Sequence, residues 1–81
     1  MRFTLSGRAL DDYRRLPPEL QKTADKQFSF LLRDIYHPSL HAKKYDEGGD
    51  VWQGRLTRGF RFYFQIRGDE YYILSIVKHP K

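Results

Sequence analysis

Residues 60–67 read Phe60-Arg61-Phe62-Tyr63-Phe64-Gln65-Ile66-Arg67, and this stretch decides the fold. Phe60, Phe62, Phe64 and Ile66 fall to one side, and Arg61, Tyr63, Gln65 and Arg67 to the other. Successive side chains of a β-strand point to opposite faces, so the pattern describes a strand buried on one face and open on the other. Gly68-Asp69 then supplies a turn, and residues 71–77 are apolar on both sides, as in a central strand. Upstream, residues 51–56 put Trp52, Gly54 and Leu56 on one face and Val51, Gln53 and Arg55 on the other.

Further towards the N-terminus the period changes from two to 3.6. Leu20, Ala24, Phe28, Leu31, Leu32 and Ile35 trace one face of a long helix over residues 18–36, which Pro38 ends. Pro17-Pro18 separates it from a short amphipathic helix over residues 8–16, built on Leu10, Tyr13 and Leu16 and capped by Ser6. Before it, Arg2-Phe3-Thr4-Leu5 alternates as a short strand. The expected fold is α+β, in the order β-α-α-β-β-β. A helical hairpin packs on one face of a twisted, mainly antiparallel four-stranded sheet. Only the helices can cover the phenylalanine face, which leaves the Arg61/Tyr63/Gln65 face open.

Eighty-one residues allow one domain, spanning 1–81. The absence of cysteine removes disulfides and thiolate metal sites. No apolar run reaches the roughly 18 residues of a membrane span, and the N-terminus lacks the core of a signal peptide, so a soluble cytoplasmic protein without a membrane partner is expected. Fifteen Lys and Arg against ten Asp and Glu give a net charge of +5, which favours a polyanionic partner. Between Val51 and Arg67 there are four arginines (Arg55, Arg58, Arg61, Arg67) and no acid. The C-terminal acids sit in two turns, Asp46-Glu47-Gly48-Gly49-Asp50 and Asp69-Glu70, so the strands should carry a positive face.

His37-Pro38, Ala42-Lys43-Lys44-Tyr45, Trp52-Gln53-Gly54-Arg55-Leu56, Gly59-Phe60-Arg61-Phe62-Tyr63-Phe64 and Ile73-Leu74-Ser75-Ile76-Val77-Lys78-His79 together resemble the RelE/ParE toxin superfamily over essentially the full chain. The resemblance implies a toxin of a type II toxin–antitoxin system. RelE-like members cleave mRNA in the ribosomal decoding site, and ParE-like members poison DNA gyrase. It also implies an antitoxin that masks the functional face, with contact to operator DNA through the toxin–antitoxin complex. Matched residue by residue, Gln53 and Arg55 fall on the basic positions of the strand at 51–56. Arg61 matches the arginine opening the next strand, and Lys78 or His79 the final basic position. The chain departs from RelE in having Gln53 where RelE is basic. It departs again in having no tyrosine after Tyr72, which leaves a catalytically weak homologue as an alternative.

RNA cleavage of this kind joins a 2′-oxygen to its neighbouring phosphorus. It needs a base, cations for charge gathering on the phosphoryl oxygens, and an acid for the departing 5′-oxygen. No metal or cofactor is implied where arginines supply the charge. Arg61 is the foremost phosphate clamp, because a guanidinium holds two oxygens in a fork. Arg55 is the second cation, and His79 is the group for proton transfer. Lys43, Lys44, Gln53, Arg58 and Lys78 are candidate RNA contacts, and Tyr63 could stack on an unpaired base. His37 and His41 read as capping or surface residues, and a zinc site from His37, His41 and His79 lacks a ligand pattern. Trp52 reads as core.

Overall fold

The computed structural model describes residues 1–79; Pro80 and Lys81, the end of the expected domain, lie outside the described residues. In chain order the elements are β1 (Arg2–Leu5), α1 (Gly7–Arg15), α2 (Pro18–Arg33), a 3-10 turn (Pro38–Leu40), β2 (Lys43–Asp46), β3 (Val51–Thr57), β4 (Phe60–Arg67) and β5 (Glu70–Lys78). The sheet has the order β1-β5-β4-β3-β2. β1 runs parallel to β5, and every other pairing is antiparallel.

The α+β class and the helix pair agree with the sequence reading, but the sheet has five strands, not four. The added strand, Lys43-Lys44-Tyr45-Asp46, is exposed at every position. A short edge strand with no buried face has no alternation to betray it. The long helix also stops earlier than expected, at Arg33. Asp34 breaks it by accepting a hydrogen bond from the Tyr36 amide (2.9 Å), a turn that competes with further helix.

The phenylalanine face of β4 does meet the helices. Phe62, Phe64, Leu31, Leu40, Leu56 and Ile73 form the fully buried centre. Phe28 of α2 stands edge-on to Phe62 (5.2 Å between ring centres), and Phe3 of β1 packs against Phe28 (4.8 Å). Such aromatic pairs add about 0.5–1.5 kcal/mol beyond the area they bury. Trp52 joins this cluster partly buried, stacked 6.1 Å from Phe64. Leu32, expected inside, is 40% exposed, and its place on the buried stripe falls to Gln27, which is 6% exposed. Gly54 has no side chain because the Phe62 ring lies across it: a Cβ there would come within 2.3 Å of that ring.

Ser6 caps α1 as expected, its hydroxyl accepting from the Ala9 amide (3.0 Å). The same hydroxyl donates to the Leu74 carbonyl (2.8 Å) of β5. Further along α1, the Asp12 carboxylate accepts from the Ile76 amide (3.0 Å). These two contacts bracket a bulge where the β4–β5 register steps from Tyr63↔Ser75 to Phe64↔Ile73. A bulge carries one extra residue and re-aims the side chains after it. Beyond it, Ile76 is on the buried face opposite Phe62, and Ser75 and Val77 are on the open face opposite Tyr63 and Arg61.

Candidate active-site cleft

The open face carries a cleft of about 540 Å³ lined by His41, Ala42, Lys43, Gln53, Arg55, Arg61 and His79. β2, β3 and β4 contribute to it, with His79 just past the end of β5. Lys43 of β2 lies opposite Gln53 of β3, Gln53 opposite Tyr63 of β4, and Tyr63 opposite Ser75 of β5. The next row is Arg55, Arg61 and Val77. His79 comes one full period after Val77, and its amide extends the ladder by donating to the Gly59 carbonyl (2.7 Å). The β5 bulge therefore decides which side His79 occupies, since an unbroken strand would have carried it to the helix side.

Arg55 and Arg61 are direct cross-strand partners. Like charges set opposite one another cost stability in a sheet. Here they have no relief from a carboxylate: the ion pairs among the described residues are Arg2–Asp69, Arg8–Asp12 and Lys44–Asp50. Arg61 is only 9% exposed. Its Nη1 donates to the carbonyls of Thr57 (2.6 Å), Arg58 (3.1 Å) and Phe60 (3.0 Å). Those bonds fix the guanidinium to the β3–β4 turn, so Arg61 is a built-in wall of the cleft as well as a cation.

Arg55 is held differently. Its Nη1 lies 3.3 Å from His41 Nε2, and its buried Nε has no hydrogen-bond partner among the described residues. A buried donor left unpaired costs roughly 1–3 kcal/mol. Its backbone is pinned from beneath: Gln27 Nε2 donates to the Arg55 carbonyl (2.9 Å) and to the Ser39 carbonyl (3.1 Å). The Ser39 hydroxyl returns a bond to Gln27 Oε1 (3.2 Å). One buried amide thus ties α2, the 3-10 turn and β3 together below the site.

The expected site residues divide into three groups. Arg55, Arg61, His79, Lys43 and Gln53 come together in the cleft. Tyr63 stands on the same face one row away, edge-on to Tyr45 (5.1 Å), in a neighbouring groove with Val51, Leu74 and Ser75. Lys44, Lys78 and Arg58 are placed elsewhere. Lys44 pairs in register with Trp52 and is occupied by Asp50 (3.1 Å) and the Trp52 ring (5.8 Å). Lys78 lies opposite Phe60, on the helix side, and Arg58 is exposed in the β3–β4 turn.

His41 is exposed at the C-terminal cap of the 3-10 turn, in keeping with its grouping with His37 as a capping or surface residue, and it also lines the cleft. His37 does cap, accepting the Ser39 amide at Nδ1 (3.2 Å) and stacking on Phe30 at 3.8 Å. The missed strand sets the backbone there: Leu40 is fully buried, His41 takes a left-handed conformation (φ 45°), and the chain leaves along β2. Nothing in the local sequence signals that turn.

The sequence matches no family model, and comparison with curated proteins finds no match. Solved structures do match. A "YoeB/ParE toxin from Agrobacterium tumefaciens" superposes with a TM-score of 0.82 at 15% identity, covering 99% of this chain and 100% of that one. The archaeal RelE–RelB complex from Pyrococcus horikoshii gives 0.80 at 15% identity over 95% and 92% of the two chains. The isolated E. coli RelE toxin gives 0.78 at 18% identity over 99% and 85%.

Proposed function

With a fold shared by the RelE and YoeB toxins as the premise, we propose that this protein is the toxin of a type II toxin–antitoxin system. In this reading it is a metal-independent, ribosome-dependent endoribonuclease that cuts mRNA and so stops translation. The observation that carries the reading is the facing pair Arg55 and Arg61, unrelieved by any carboxylate among the described residues and set in a cleft with imidazoles. A phosphodiester suits such a site. The two guanidiniums hold its non-bridging oxygens and take up the charge that grows as the 2′-oxygen closes on phosphorus. His79 delivers a proton to the departing 5′-oxygen. Lys43 and Gln53 line the approach of the strand, and Tyr63 offers a ring to a neighbouring base.

An antitoxin is the expected protein partner, since the archaeal RelE relative is held in a complex with RelB. The apolar groove of Tyr45, Val51, Tyr63 and Leu74 beside the cleft is suited to part of such a chain. Operator DNA enters only through that complex.

Induction without antitoxin, followed by primer extension on mRNA, tests the reading. Wild type should arrest growth and leave discrete cuts in translated transcripts, and Arg55→Gln should do neither while folding normally. Filamentation and DNA damage without cut transcripts would identify a ParE-like gyrase inhibitor instead. Unaffected growth would identify an inactive homologue.

A further inference from the structure

We propose that His41 is the general base of the cleft, and that Arg55 masks it until a phosphate is bound. This rests on the endonuclease reading and adds the proton acceptor which that reading lacks.

The contact with Arg55 singles out one ring nitrogen. A guanidinium can only donate, so His41 Nε2, 3.3 Å from Arg55 Nη1, must be the acceptor. Among the side chains that line the cleft, only the two imidazoles can offer a neutral nitrogen lone pair without first discharging an ammonium or guanidinium. The titratable groups that line the cleft with His41 are Lys43 of β2, Arg55 of β3, Arg61 of β4 and His79 beyond β5, all bases. The backbone that carries the ring is also held in place. Non-glycine residues seldom adopt a positive φ, and such backbones persist only where their surroundings over-determine them. Here buried Leu40 lies on one side and the Lys43↔Gln53 pairing on the other.

The mask is reversible by charge. Arg55 rests against the His41 imidazole in the free protein, while its own Nε has no partner among the described residues. A phosphate between Arg55 and Arg61 offers charge-assisted bonds about twice as strong as neutral ones. The guanidinium turns to it and vacates Nε2, which then faces the 2′-hydroxyl adjoining that phosphate. In the step itself the 2′-O–P bond forms as the 2′-hydroxyl proton passes to His41 Nε2. The P–5′-O bond breaks as His79 protonates the 5′-oxygen. The products are a 2′,3′-cyclic phosphate and a 5′-hydroxyl, with no oxidant or metal consumed.

The test uses the purified full chain on programmed ribosomes, with mRNA carrying either oxygen or sulfur at the bridging 5′-position of the cut site. The variants are His41→Asn and His79→Gln. Asparagine tolerates the left-handed backbone and keeps an acceptor for Arg55, but it cannot take a proton. Loss of a general base should slow His41→Asn by about 10²-fold or more on both substrates and remove the acidic limb of its pH–rate profile. His79→Gln should be slow on oxygen and largely restored on sulfur, a leaving group that needs no acid. Binding of mRNA with a 2′-deoxy cut site should stay within about twofold of wild type in His41→Asn, because only a proton acceptor is removed. A near wild-type rate for His41→Asn, rescue of that variant by sulfur, or loss of its 2′-deoxy mRNA binding would each overturn the assignment and leave the endonuclease reading standing. Failure of the wild type to cut either substrate would remove that reading and the assignment with it.

Discussion

Arg55 and Arg61 look interchangeable in the sequence and are not so in the structure. Arg61 holds three turn carbonyls with one nitrogen, so its replacement damages the β3–β4 turn as well as the cleft. Arg61→Lys keeps a positive charge but cannot hold those carbonyls and still clamp a phosphate, since an ammonium lacks the rigid fork. On the endonuclease reading, cleavage should fall about 10²–10³-fold, as for removal of one donor to a developing oxyanion, and urea unfolding should shift to lower midpoint. Arg55→Gln should lose as much activity with little change in stability, because the Arg55 bond that matters to the fold is made by its backbone carbonyl. Gln27 is the converse case, a residue outside the cleft that sets its floor. Gln27→Leu preserves bulk but strips the Arg55 and Ser39 carbonyls of their donor, at about 1–3 kcal/mol. Denaturant unfolding measures that loss, and phosphate affinity of the folded fraction should drop with it. From sequence, Gln27 is one more polar residue on a helix, because its partners lie 12 and 28 residues away.

Among the elements, β4 is fully legible in the sequence and β5 only partly so. The strict alternation of residues 60–67 predicts both its bounds and its faces, and the open side does hold Arg61 and Tyr63. β5 is apolar on both faces over most of residues 71–77, so its sequence contains no sign of the bulge that changes its phase between Ile73 and Ser75. The cause is tertiary. β1 ends at Leu5, and past that point α1 meets β5 through Ser6 and Asp12. Asp12→Ala leaves the Ile76 amide unpaired at about 1–3 kcal/mol. Amide exchange at Ile76 should quicken well beyond the global change, and His79 should lose its fixed place in the cleft. Asp12→Asn, which keeps an acceptor oxygen, should behave nearly as wild type. β2 is illegible for the opposite reason: its exposed residues have no pattern, and its only mark is the pairing with β3.

At the scale of the whole molecule, helices and sheet meet with little room to spare. Gly54→Ala would drive a methyl into the Phe62 ring, and overpacking of this kind costs about 1–3 kcal/mol. Thermal unfolding should show the loss, and Phe62→Leu in the same chain should recover part of it. Tyr71, elsewhere in that core, gives the fold an alkaline limit. Burial, with Asp34 and Tyr36 nearby, pushes the Tyr71 hydroxyl above the usual 10.0. A raised acid favours its neutral form in the folded state, so this contribution is complete below pH 10.0 and declines as pH climbs from there towards the folded value. Tyr71→Phe should flatten the fall in stability over that alkaline range, as followed by denaturant unfolding.

The strand order also sets a timetable for biosynthesis. β1 has no neighbour but β5, and β5 comes after every other element. A ribosome that has not yet released residues 70–78 therefore carries helices and hairpins that cannot close into one sheet, with the two arginines present and the imidazole of His79 still to come. On the endonuclease reading, the cleft therefore stays incomplete on the nascent chain until β5 has emerged and paired.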